Sequence, residues 1–75
     1  MPLQKPPLTH GPYKHYKGCV YIVSDVVLHT ETQEWYVLYH DKQNPELQFV
    51  RPYTMFTERI KVAGKLLPRF TQLNS

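Results

Sequence analysis

Apolar and aromatic positions along the chain fall in short dense runs separated by turn-forming residues. The runs predict strands over 13–16, 19–30, 34–41, 47–51 and 59–62. In CVYIVSDVVLHT, residues 19–30, six of twelve positions are valine, isoleucine or tyrosine, the types that suit a pleated surface. Ser24-Asp25 interrupts this run, and small polar residues there predict a bulge or sharp bend that lets one long strand serve two sides of a barrel. Lys17-Gly18, Glu31-Thr32-Gln33 and the Asn44-Pro45 loop supply the turns. Pro52 lacks an amide donor and should end its strand, and residues 52–57 can form one helical turn. The segment 65–75, KLLPRFTQLNS, has no clear periodicity.

Strands this closely spaced leave no room for helical crossovers, so they must pair antiparallel. Closing such a sheet hides its edges. The expected fold is therefore all-β: a small five-stranded antiparallel SH3-like barrel with one short helical turn before the last strand. Four of the seven prolines fall in the first twelve residues. That stretch reads as an extended lead-in, giving a proline-rich flexible segment at 1–10, the barrel at 11–70 and a tail at 71–75. Strand parity places Tyr21, Val23, Val37, Tyr39, Val50, Phe56, Ile60 and Val62 inward. It places Val20, Ile22, Tyr36 and Leu38 outward, too much apolar surface to leave wet. Cover from the tail, through Leu66, Leu67 and Phe70, is expected ahead of a homodimer formed through Val20, Ile22, Tyr36 and Leu38.

Length and composition narrow the function. Seventy-five residues make one small domain with a thin core, which leaves little room for a long substrate cleft. One cysteine, Cys19, cannot form an internal disulfide, which argues for a reducing cytoplasm. On a strand among apolar residues it is expected to behave as a small hydrophobe rather than a nucleophile. No apolar run resembles a signal peptide or a membrane span, so no membrane partner is expected. A net charge of +3 tilts the chain mildly towards an anionic partner.

Three clusters carry candidate chemistry. Tyr13, His15, Tyr16 and Lys17 interleave rings with cations, a combination that stacks bases and holds phosphates, or that cradles proline-rich or methylated peptides. His29, Glu31, Thr32 and Glu34 form a polar corner between two strands. The corner could hold a divalent metal, but the alternation splits its acids and no fourth ligand is near in sequence. A hairpin turn, with threonine hydroxyls bonding backbone and Glu34 accepting from His29, is the stronger expectation. Arg51 precedes a rigid proline and is expected to pair with Glu58, while Met55 and Phe56 plug one end of the barrel. No cofactor is expected. The expectation is a binding module rather than an enzyme, with a protein or RNA partner, reading its ligand through Tyr13, His15, Tyr16, Lys17, His29, Glu31, Thr32, Glu34 and Arg51. A small metal-dependent hydrolase built on His29, Glu31 and Glu34 is the alternative from another class, and a structural subunit of an oligomer is the third.

GPYKHYKG (11–18), YIV (21–23), HTETQE (29–34), VRPYTMF (50–56) and PRF (68–70) together resemble, in order and spacing, a bacterial family known as domain of unknown function 1653. The resemblance implies a small SH3-like barrel and leaves the biochemical role open. It also implies departures in this chain. Asp25 stands where members carry glycine, a place where aspartate's tolerance of left-handed backbone would matter. Phe49 replaces tryptophan, and the loop at 42–45 replaces a more apolar stretch.

Overall fold

The structure is a computed structural model that describes residues 4–73. Residues 1–3 of the expected lead-in and 74–75 of the expected tail lie outside the described residues. Seven strands and one helical turn follow in the order β1 (Gly11–His15), β2 (Val20–His29), β3 (Glu34–Asp41), β4 (Gln48–Pro52), α1 (Tyr53–Phe56), β5 (Arg59–Val62), β6 (Lys65–Pro68) and β7 (Phe70–Gln72). The fold is mostly β, with a five-stranded antiparallel sheet in the order β4-β3-β2-β1-β7 and a separate β5-β6 hairpin.

The sheet is not closed into a barrel. Strands β4 and β7 remain its edges, where full closure was expected. The edges are blunted instead: β7 is three residues long and β4 ends in Pro52. The segment 65–75, which carries no periodic signal, supplies two of the strands. Three and four residues are too few to reveal a period, and β7 owes its place to pairing with β1 through Tyr13↔Gln72, Lys14↔Thr71 and His15↔Phe70. The bulge expected at Ser24-Asp25 is present, as a register shift between Val23 and Asp25. Asp25 itself does not use left-handed backbone. Among the described non-glycine residues only Gln33 and Ala63 have positive φ.

One sheet face carries the core. Tyr13, Val23, Val37, Tyr39, Phe56 and Phe70 are buried together, with Leu8, Tyr21, Phe49 and Tyr53 against them. Phe56 of the helical turn stacks on Phe70 of β7 at 4.1 Å between ring centres, and Tyr13 meets Phe56 edge-on at 5.5 Å. Val23, Val37, Tyr39 and Phe56 are inward as parity predicts. Val50 is not: it stands opposite Leu38 on the other face and is 57 % exposed. Its neighbours Phe49 and Arg51 take the core side, because β4 pairs one residue out of phase with the expected set. Ile60 and Val62 belong to the separate hairpin and are only half-buried, as is Tyr21. Met55 does not plug the core; it is exposed, and Phe56 alone turns inward.

The opposite face brings together Val20, Ile22, Val27, Tyr36, Leu38 and Val50 by cross-strand register. The tail does not cover it. Leu66 and Leu67 are exposed on β6, and Phe70 is committed to the core on the other side. This replaces the expected tail cover, for a physical reason: a ring stacked on Phe56 cannot also reach across the sheet.

The β5-β6 hairpin closes with a two-residue turn between Val62 and Lys65, in which Ala63 (φ 52°) and Gly64 (φ 80°) both have positive φ. Such turns favour Asn-Gly, and left-handed backbone costs an alanine about 1 kcal/mol. Ala63→Asn is therefore expected to stabilise the fold by about 1 kcal/mol, raising Tm by about 4–8 °C for a domain of this size. A melting curve unchanged or lowered by the substitution would contradict this account of the turn.

Candidate functional site

The turn between β1 and β2 is held by backbone bonds from His15 N–H to Cys19 C=O (2.7 Å) and from Gly18 N–H to His15 C=O (2.7 Å). Gly18 has φ 111°, a conformation that side chains rarely adopt, so glycine is required there. The turn presents His15, Tyr16 and Lys17. His15 Nδ1 accepts from Lys17 N–H at 3.2 Å, which leaves the ring proton of neutral His15 on Nε2. Its ring lies 4.5 Å from that of Tyr16 and meets Phe70 edge-on at 4.9 Å. The Lys17 ammonium sits 5.8 Å from the centre of the exposed Tyr16 ring. Cys19 is exposed just before β2, not sunk among apolar side chains as expected.

Arg51 arrives at the same corner from β4. Its Nε donates to the Tyr39 hydroxyl at 3.3 Å, and its guanidinium carbon lies 5.7 Å from the Phe70 ring centre. The expected pairing with Glu58 is not made. Glu58 is taken by Arg69, whose Nη2 donates to it at 2.5 Å. Among the described residues Arg51 forms no salt bridge. Partial burial pushes the His15 pKa below its ordinary 6.5, and the nearby cations Arg51, Arg69 and Lys17 push the same way. Three positive groups thus converge on one imidazole. Tyr16 N–H donates to Arg69 C=O at 3.0 Å, which ties the turn to residues 51–69, a stretch with five cations and one acid.

Tyr13 is not part of this surface. Its ring is 6 % exposed in the core, and burial raises its hydroxyl pKa. His29, Glu31, Thr32 and Glu34 are exposed on the β2-β3 turn. That turn lies at the other end of β2, a span of about 30 Å for ten residues at ~3.3 Å each. The structure therefore brings together His15, Tyr16, Lys17 and Arg51, and sets the His29–Glu34 corner apart from them.

The corner itself is built as a turn. Gln33, with φ 57°, donates its N–H to His29 C=O at 2.7 Å. His29 Nδ1 is bonded by Thr32, N–H and hydroxyl both at 3.3 Å, and its ring rests 5.3 Å from Tyr36. His29 and Glu34 are opposite in the ladder, as expected, but Thr32 takes the place of the expected Glu34 bond. Among the described residues no three His, Cys, Asp or Glu side chains converge to hold a metal. The geometry for a hydrolase at His29, Glu31 and Glu34 is not assembled.

Two features escaped the sequence. Arg69 lines the basic corner, and the one available signal was its place within the PRF motif. Residues 4–9 also touch the sheet, through Lys5, Leu8 and the Pro7 and Thr9 carbonyls, contacts that the run of prolines gave no reason to expect.

The protein has no helix among the described residues long and apolar enough to cross a membrane. A comparison with curated proteins finds no match. Among solved structures, the chain is similar to a crystal structure of a protein of the DUF1653 family from Bordetella bronchiseptica, with 25 % identity over 88 % of this chain and 87 % of that one, at a TM-score of 0.78. The family model described as "Protein of unknown function (DUF1653)" matches residues 11–72, all seven strands included, and the chain belongs to that family.

Proposed function

We propose that the protein is an interaction module that binds single-stranded nucleic acid at the corner formed by His15, Tyr16, Lys17, Arg51 and Arg69. The observation that carries this reading is Arg51: a half-buried guanidinium on an aromatic floor, without a carboxylate partner among the described residues. Arginine in that setting suits a phosphate, and the exposed Tyr16 ring, packed against His15, suits a base. Of the acids, Glu58 lies at the corner, paired there with Arg69. Glu31 and Glu34 sit on the far turn, and Asp41 is engaged with Gln43 N–H at 2.8 Å. On the same footing we read the fold as an opened relative of the SH3-like barrel, and the exposed, unpaired Cys19 as suited to a reducing cytoplasm.

Fluorescence anisotropy with short single-stranded RNA tests the reading. Binding should weaken steeply with salt, with a log–log slope of about −0.7 for each phosphate engaged. Arg51→Ala and Tyr16→Ala should each lower affinity by about tenfold, matching the ~1–3 kcal/mol of a stacked base. Absence of binding at ~50 mM salt, where the electrostatic contribution is large, ends the proposal.

His15 adds a pH dependence whose sign is fixed. Its folded pKa is depressed, so the unfolded chain takes up the proton first as pH falls through 6.5. Fold stability should therefore drop as pH is lowered through this range and level off below the folded pKa. Affinity for RNA should rise over the same range, because bound phosphate favours the imidazolium. Melting and anisotropy from pH 8 to 5 read both, and His15→Gln should remove both trends.

A second reading, as a subunit of a homodimer, is favoured by one observation: the apolar face of Val20, Ile22, Tyr36, Leu38 and Val50 is not covered by the tail. Light scattering should then give twice the 8.9 kDa chain mass. A single-chain mass at every concentration excludes it.

A further inference from the structure

Residues 4–10 form no strand or helix, yet they are attached at successive points. The Lys5 ammonium bonds the Asp25 carboxylate at 2.7 Å. Pro6 lies in a cleft shared with Gln33, Glu34, Trp35, Tyr53 and Thr54. The Pro7 carbonyl accepts from the Tyr53 hydroxyl at 2.8 Å, and the Thr9 carbonyl accepts from the Tyr13 hydroxyl at 2.7 Å. Leu8, between them, packs against the core.

The chemistry of this groove is selective. A proline-rich extended segment has few amide donors and no internal hydrogen bonds, so its carbonyls need donors from outside. Two tyrosine hydroxyls meet alternate carbonyls here and ask for no amide in return. Trp35 and Tyr53 supply apolar ring surface beside Pro6. Asp25 is aimed by the bulge and fixed by Val26 N–H at 2.8 Å, so the acid is oriented whether or not a lysine is present.

The attachment is also weak enough to exchange. Lys5, Pro7, Thr9 and His10 are exposed, and the ion pair has side chains 52 % and 46 % exposed. An ion pair this exposed adds a modest increment, which charge reversal replaces with repulsion. No ladder hydrogen bonds hold the segment. Its occupancy rests on being tethered, which supplies an effective concentration in the ~mM range.

We infer that the groove between Asp25, Trp35, Tyr53 and the Tyr13 hydroxyl is a binding site for an extended proline-rich peptide bearing a lysine just before its prolines, occupied in this structure by the chain's own residues 4–9. A segment of that chemistry on another protein competes with the tethered one. The site is separate from the basic corner at His15–Lys17, so it stands or falls independently of the nucleic-acid reading.

The test uses the full chain, isotope-labelled, titrated with the synthetic peptide Gln-Lys-Pro-Pro-Leu-Thr while amide and indole resonances are followed. In the Lys5→Glu protein the tethered segment is loosened by charge repulsion from Asp25, and the peptide should bind about tenfold more tightly than to the unaltered chain. The Trp35 indole and the amides around Tyr53 and Asp25 should shift. Adding Tyr53→Phe to the Lys5→Glu chain should weaken that binding, as should replacing the peptide's lysine by alanine. A Pro6→Gly, Pro7→Gly chain, which loosens the segment by another route, guards against a folding defect in the first variant and should behave like it. If the peptide shifts no resonance of either loosened protein at ~mM concentration, the segment is a fixed part of the fold and the proposal fails. Equal affinity for altered and unaltered chains, or shifts confined to other surfaces, overturns it as well.

Discussion

The contact on which the architecture depends is the stack of Phe56 on Phe70. It joins the helical turn to the final strand through stacked rings with centres 4.1 Å apart and planes 8° from parallel. Strand β7 has only three residues in register with β1, and ordering three residues costs about 3–6 kcal/mol of backbone entropy. Burying one phenylalanine returns about 2–3 kcal/mol, and a ring pair adds about 0.5–1.5. Together with its ladder bonds, the ring brings the strand close to balance. Without the ring, β1 would be an exposed edge, and the core between Tyr13 and Tyr39 would be open on one side. The same contact decides what lies bare. Once Phe70 is drawn to the core side it cannot also cover the opposite face, and Leu66 and Leu67 stay exposed on β6. Val20, Ile22, Tyr36 and Leu38 then stay half-exposed on the other side.

That distinction explains what could be read from the sequence. β3 and β5 have the predicted bounds, and β1, β2 and β4 lie within two residues of them. Each of the longer strands is a run of β-branched and aromatic residues between turn formers, a local signal. The bulge was legible for the same reason. What failed is nonlocal. The tail strands carry no period because their placement comes from pairing with β1 and from the Phe56 stack. Val50 faces away from its expected side because parity within a strand does not fix its phase against a neighbour. The register Leu38↔Val50 does, and register is a property of the pair. Closure into a barrel failed likewise, since a sequence lists strands without saying which edges meet.

The candidate site divides along the same line. The sequence identified the residue types at His15, Tyr16, Lys17 and Arg51, and the fold gathers them at one corner. It could not see that ten residues of β2 separate the His29–Glu34 turn from that corner. Nor could it choose between two arginines for one acid. Glu58 goes to Arg69, to which the backbone also bonds it through Arg69 N–H and Glu58 C=O at 3.0 Å. Local chain geometry makes that choice, and Arg51 is left over on the aromatic floor. Without a carboxylate among the described residues, its partial burial is offset only by the Tyr39 hydroxyl and the Phe70 ring.

The lead-in follows a complementary logic. Prolines near the start of a chain suggest disorder because they cannot join a ladder, but the same lack of amide donors suits a surface that presents hydroxyl donors to successive carbonyls. Tyr13 and Tyr53 are such donors. Both hydroxyls would otherwise need water at the margin of the core, and Tyr13 is too buried for easy access to it. The tethered carbonyls of Pro7 and Thr9 satisfy them. The groove therefore has a standing requirement for acceptors on an extended backbone, whichever chain provides them. Since the domain matched by the family begins at residue 11, that requirement lies in the family domain at Tyr13 and Tyr53, while the segment that meets it here lies outside.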